Sequence, residues 1–266
     1  DKPYTIYNDS TTFSGKLKLK PTGLTGKGKM DMSKAVFESQ YFTYEARSFD
    51  ADTANFKLRT LDQQDFAFKT EKVNAHIDFD YQRGRFRMIE NYAISDFPVN
   101  LYVGYLDKFS WKIDENELEV ESKPEPKPAY GKTPELTALK DSAQPGALYM
   151  SNHKGQDSLR FISPQTTFRL ADTTLLANEV SHLRVADAKI FPHEKTLTIR
   201  KVADIDSLHQ ARLLADYTKG TPHEIFNADL KIKDLETPVK MYSAIREERV
   251  RFRMLHKKDK EPLSRR

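Results

Sequence analysis

The chain of 266 residues carries 43 Lys+Arg against 39 Asp+Glu, a formal net charge of +4, with 31% charged and 38% hydrophobic residues; at roughly 150 residues per domain it holds one large domain or two small ones. So even a balance excludes the one-sided basic excess of a nucleic-acid binder, and no apolar run nears the ~18 residues of a membrane helix, so no transmembrane segment is expected. Zero Cys removes disulfides, thiolate nucleophiles and Cys-bearing metal sites, and leaves the redox compartment open.

The start Asp1-Lys2-Pro3, with neither initiator Met nor apolar leader, suits a mature chain or a piece cut from a longer one. Lys16-Leu17-Lys18-Leu19-Lys20 alternates strictly, as a half-exposed strand does, and runs into Pro21, Gly23, Gly26 and Gly28, which read as a turn. From Phe37 the apolar positions come in short groups: Tyr41, Phe42 and Tyr44, then Phe49 and Ala51, then Ala54, Phe56 and Leu58, then Phe66 and Phe68. Polar residues at the breaks predict short strands at regular intervals. Val73, Ala75, Ile77, Phe79 and Tyr81 then alternate up to an Arg83-Gly84 turn, the clearest period-two signal in the chain.

Ser122-Lys123-Pro124-Glu125-Pro126-Lys127-Pro128 predicts an extended linker, because proline donates no ladder hydrogen bond. Thr133 followed by Pro134 and good helix formers predicts one short helix over 134–140. Beyond it, Leu159 and Phe161, Phe168 and Leu170, Leu183 and Val185, and Leu197 and Ile199 repeat the strand pattern. An Ala-Asp pair recurs at Ala171, Ala186, Ala203, Ala215 and Ala228, at intervals of 15, 17, 12 and 13, with an earlier copy at Ala51. It reads either as a rung repeat, with small Ala at inward bends such as Ala186 and Ala203 and Asp bonding the turn backbone, or as chance recurrence of two common residues. The run from Arg246 to Arg266 ends the chain as a charged tail.

These elements predict an all-β fold: a β-solenoid or an open, curled sheet of short strands with one short helix, the alternative being two β-sandwich modules. The expected regions are 1–122 and 141–256, both β-repeat, joined by a Pro-rich linker and helix over 123–140 and followed by a charged tail over 257–266.

No constellation names a reaction, and no catalytic, cofactor or metal residue is assigned. His153, Asp157 and Ser158 are adjacent on one loop, whereas a triad is assembled across a fold, so a capped turn is the better reading. The seven His are spread without ligand spacing, and the pairs Asp50/Asp52, Asp78/Asp80 and Asp204/Asp206 recur too often for a singular active site. The residues chosen as a ligand or partner surface are Tyr102, Tyr105, Trp111, His153 and Asp157, while most strand aromatics are expected in the core.

Phe97-Pro98-Val99-Asn100-Leu101-Tyr102, Asp107-Lys108-Phe109-Ser110-Trp111, the stretch from Ser151 to Phe161 and Leu183-Arg184-Val185-Ala186-Asp187 onward to Pro192 resemble large uncharacterised cell-envelope β-repeat proteins of Bacteroidota. The Gly-Leu-x-Gly-x-Gly stretch at Gly23–Gly28, with its Phe-rich strands, is more distantly similar to the β modules of lipopolysaccharide-transport and TamB-like proteins. The resemblance implies an exported, periplasmic or envelope segment whose partners are other envelope proteins or further repeats of the same chain, with lipid or glycan as further ligands. Three functions follow as expectations: a non-catalytic structural or interaction module, a lipid or glycolipid conduit, and a polysaccharide-binding or polysaccharide-active β-helix. They differ in where the aromatics point.

Overall fold

The computed structural model describes residues 3–7, 11–90, 93–122, 145–156, 159–215 and 223–232. The expected helix over 134–140, most of the Pro-rich linker and the charged tail lie outside them. The fold is all-β, one large antiparallel sheet that does not close into a barrel. Its first strands in chain order are β1 (Tyr4–Thr5), β2 (Thr12–Lys20), β3 (Gly23–Asp31), β4 (Ala35–Tyr44), β5 (Ser48–Arg59) and β6 (Phe66–Asp78), each pairing with the next.

Three of these strands are long, at 10, 12 and 13 residues for β4, β5 and β6. The apolar groups that read as separate short strands are halves of single strands. Phe49 and Ala51 face the core from the first half of β5, and Ala54, Phe56 and Leu58 face it from the second, so the buried positions change from odd to even within one strand. Side chains alternate in a strand, so this inversion takes one extra residue. Asp52-Thr53 supplies it, both exposed, with Thr53 left-handed at φ 52°. Glu71-Lys72 does the same in β6, with Lys72 at φ 56°. In β4 the exposed pair is Gln40-Tyr41, and the Ser39 hydroxyl accepts the Tyr41 N–H at 2.9 Å and donates to the Asp52 carbonyl.

These bulges lie side by side and form a crease across the sheet. Gly15 and Gly28, Cα partners on β2 and β3, carry the crease on: a Cβ at either would collide with the facing backbone carbonyl. The stretch from Gly23 to Gly28 is therefore strand, not the turn its glycines suggest, and the turn is Pro21-Thr22.

Beyond β6 the sheet divides along the crease. The second half of β6 pairs with β7 (Arg83–Met88), and the first half, at Lys69 and Thr70, pairs with β8 (Ala93–Phe97). From β7 a first leaf continues through β10 (Lys108–Lys112), β11 (Glu117–Glu121), β14 (Gln165–Arg169), β15 (Thr174–Asn178) and β18 (Leu197–Ile199). From β8 a second leaf continues through β9 (Tyr102–Leu106), β12 (Ala147–Ser151), β13 (Arg160–Ser163), β16 (Leu183–Val185), β17 (Ala188–Phe191), β19 (Leu208–Ala215) and β20 (His223–Leu230). The chain thus lays hairpins alternately on the two leaves. Because β9 pairs with β12 and β11 with β14, the stretches on either side of the Pro-rich segment share one sheet.

The inner faces of the leaves meet in one core. Its rings touch across the gap at 4.4 Å for Phe56–Phe86, 5.1 Å for Phe68–Phe109 and 5.3 Å for Phe97–Phe168, within the range of favourable aromatic pairs. At the far end the leaves rejoin: Ile205 bridges to Ile199 of β18, and the same run continues into β19 on the second leaf. There His209-Gln210 and, in β20, Phe226-Asn227 repeat the exposed pair, with Gln210 and Asn227 both at φ 52°.

The Ala-Asp recurrence has no common structural position. Ala186 sits half-buried between β16 and β17 at φ 49°, and Ala203 is buried after β18 at φ 56°, both at bends, whereas Ala51 and Ala228 lie within strands. A left-handed residue with a Cβ costs about 1 kcal/mol or more, and Thr53 is β-branched as well. Thr53→Gly and Lys72→Gly should therefore each raise the unfolding free energy by about 0.5–1 kcal/mol. Urea midpoints check this, and a fall in both would mean that these side chains support the crease rather than strain it.

Candidate functional site

In the first leaf β5, β6, β7, β10 and β11 lie side by side, and their outward residues are strongly charged. One row of Cα partners runs Asp50, His76, Arg85, Ser110, Glu119, and a second, two residues along, runs Asn74, Arg87, Lys108. Because i and i+2 share a face, β7 presents Arg83, Arg85 and Arg87, β10 presents Lys108, Ser110 and Lys112, and β11 presents Glu117, Glu119 and Glu121. The rows line a groove of about 770 Å³, bounded by Asp50 and Asp52 on one side and Glu119 and Glu121 on the other.

Ion pairs occupy the margins of the groove. Asp50 Oδ1 is 2.8 Å from His76 Nδ1, Glu119 is 3.0 Å from Arg83 and 2.8 Å from Lys112, and Lys112 also reaches Glu115 at 3.0 Å. Glu119 foremost, then Glu115, holds the Lys112 ammonium above the usual lysine range. In the centre, no acidic group among the described residues lies within ion-pair distance of Arg85, Arg87 or Lys108. The flooring aromatics Phe86 and Phe109 turn their rings into the core.

Of the five residues expected from the sequence to form a surface, the four that are described do not converge. Tyr102 and Trp111 are fully buried core side chains, so neither belongs to a surface. Burial raises the Tyr102 phenol, and its hydroxyl donates to Gln156 Oε1 at 3.2 Å. Tyr105 packs on the outer face of the second leaf against a small cluster of Leu148, Met150 and Ile162. His153 opens the short 3-10 turn Lys154–Gln156, its Nδ1 accepting the Gly155 N–H at 3.1 Å. Asp157 and Ser158 lie outside the described residues.

The loop that carries His153 has a structural task through its neighbour: Gln156 Nε2 donates to the Ala203 carbonyl at 2.6 Å. Beside it Asn100, with no exposed surface, points Nδ2 at the carbonyls of Thr173, Ile199 and Arg200 at 2.7, 3.2 and 3.1 Å. These bonds tie the second-leaf turns to the first leaf along one rim. Elsewhere His209 pairs with Asp229, Arg200 grips Asp206 through two bonds, and His182 lies against Phe191, its pKa pushed down to about 4 by burial, then by Arg184 and Lys189.

The charged strand faces were visible in the sequence as Arg-x-Arg-x-Arg and Glu-x-Glu-x-Glu. Their neighbours were not, because β7 pairs with β10 over the intervening β8–β9 hairpin. No protein-family model matches the chain, and no curated protein shows significant similarity to it. The class defined by fold and groove is therefore a two-leaved antiparallel β protein with a polar, charge-striped face.

Asn100→Leu keeps the branched outline but adds bulk at a fully buried position and leaves buried carbonyls without their donor, so it should lower the unfolding free energy by about 2–4 kcal/mol, at roughly 1–3 kcal/mol per orphaned group. His153→Ala should cost about 1 kcal/mol or less. Denaturant unfolding of the two variants measures both, and equal losses would remove the distinction between rim lock and loop.

Proposed function

We propose that the chain is a non-catalytic structural or interaction module of a bacterial cell-envelope protein, with the charged groove of its first leaf as the interaction surface. The observation that carries this reading is the filled interior. Phe97, Tyr102, Trp111, Tyr149 and Phe168 are fully buried between the leaves, and one continuous core runs from Phe13 to Leu230. A lipid conduit needs an apolar trough open along its length, and here the rings that would line one fill the space instead. A sugar-stacking site needs a run of exposed rings beside carboxylates, whereas no exposed Phe, Tyr or Trp lines the groove and the exposed Tyr41 stands on β4 opposite Asp52 at its edge. The envelope setting is supported by the resemblance of the segments at 97–111, 151–161 and 183–192.

The hairpin order also suits a module within a longer array, since each new hairpin extends one leaf and needs only its neighbour. The test is lipid uptake. Delipidated protein mixed with a fluorescent phospholipid should neither bind the probe stoichiometrically nor shift its emission toward that seen in hydrocarbon. Saturable uptake with such a shift would replace the module reading by the conduit.

A further inference from the structure

We propose that Arg85, Arg87 and Lys108 form a binding site for a compact phosphate-class oxyanion, a phosphomonoester or free phosphate. The inference deepens the interaction-module reading and rests on it.

Arg87 and Lys108 are direct cross-strand partners, so their Cβ atoms lie about 5 Å apart, and Arg85 shares their face two residues along β7, about 7 Å away. Like charges placed opposite one another destabilise a sheet. Of the four acids that line the groove, Glu119 is held by Arg83 and Lys112 and Asp50 by His76, while Asp52 and Glu121 lie at the margins beyond ion-pair distance of the three cations. Folding gains nothing from three unmatched cations on adjoining positions, whereas a doubly charged anion between them turns the repulsion into three charge-assisted contacts. Arginine forks suit a tetrahedral oxyanion, and lysine adds a point charge.

The surroundings define the ligand further. The groove, about 770 Å³, lies within the range of small-molecule sites. Asn74 stands in one of the groove's two rows, and its amide offers a neutral donor. The acidic margins, Asp50 and Asp52 on one side and Glu119 and Glu121 on the other, repel an anion that extends across the strands. A single phosphate group therefore fits better than a long polyanion. With no exposed ring in the lining, whatever carries the phosphate is held by charge and not by stacking.

The probes are inorganic phosphate, followed at the Arg85 and Arg87 side-chain NMR resonances, and vesicles of phosphatidylcholine with and without phosphatidic acid. At low salt, phosphate should shift both arginines and raise the melting temperature of the wild-type protein, as any ligand selective for the folded state does. Arg87→Gln and Lys108→Gln should each weaken binding by about tenfold or more, while the paired replacement Lys16→Gln/Lys18→Gln on β2 leaves it unchanged. Without phosphate, Arg87→Gln should unfold at or above the wild-type midpoint because it relieves repulsion, which separates lost binding from lost folding. Vesicle binding that needs phosphatidic acid and disappears in the same variants assigns a lipid headgroup as the source, and phosphate binding without vesicle binding assigns a soluble one. Absence of phosphate binding in the wild type, or binding unchanged in Arg87→Gln and Lys108→Gln, overturns the site. That failure leaves the interior lipid test untouched, so the two readings fail separately.

Discussion

Side chains alternate across a β-strand with a period of two, and a strand that takes one extra residue at a bend shifts the parity of every inward position beyond it. The crease across β4, β5 and β6 answers this constraint. Asp52-Thr53 lets Phe49 and Ala51 face inward on one side and Ala54, Phe56 and Leu58 on the other, and Glu71-Lys72 does the same for Val73–Ile77 against Phe68 and Thr70. Each left-handed residue costs about 1 kcal/mol or more. Each large apolar side chain kept inside contributes about 1.5–3 kcal/mol, so inversion wins wherever two or more such residues lie beyond the bend. The same balance holds in β19 and β20, where His209-Gln210 and Phe226-Asn227 let Leu213 and Ile225 face the same core as Leu208 and Leu230.

The two leaves, and the place of the groove, follow from the crease. Each half of β6 is the first strand of one leaf, and hairpins laid alternately on the two sides keep the inner faces in contact through Phe56–Phe86 and Phe97–Phe168. Among the described residues these side chains fill the space where the leaves meet, and the charged groove lies on an outer face. On the first leaf the succession of β5, β6, β7, β10 and β11 sets acidic, mixed, basic, basic and acidic strands side by side. The basic pair at the centre is the arrangement there that folding does not favour: Glu119 and Asp50 serve Arg83, Lys112 and His76, and Asp52 and Glu121 stay at the margins.

The all-β class was legible because alternation at Val73, Ala75 and Ile77 and at Leu197 and Ile199 needs no tertiary information. The crease is not legible locally, since Asp52-Thr53 resembles a turn, and the parity slip at Glu71-Lys72 looks like the end of one strand and the start of another. Gly26 and Gly28 misled for a related reason: glycine marks both turns and places where two backbones crowd, and at Gly28 the second holds. Tyr102, Trp111 and His153 attracted attention by residue type, but Tyr102 and Trp111 fill the core and the His153 loop serves the rim lock through Gln156. The groove was half legible. The charge of each strand face is in the sequence, whereas the pairing of β7 with β10 depends on the alternation of hairpins between leaves, which no local pattern encodes.

Paired substitutions in the two halves of β5 test the parity account most directly. Thr53 is the extra residue, so Phe49 at an odd position and Phe56 at an even one both face the core, whereas their neighbours Asp50 and Lys57 do not. The account predicts that Phe49→Ala and Phe56→Ala each lower the unfolding free energy by about 3–5 kcal/mol in urea, while Asp50→Asn and Lys57→Gln unfold near the wild-type midpoint. Either Phe variant unfolding at the wild-type midpoint with the wild-type slope would contradict it.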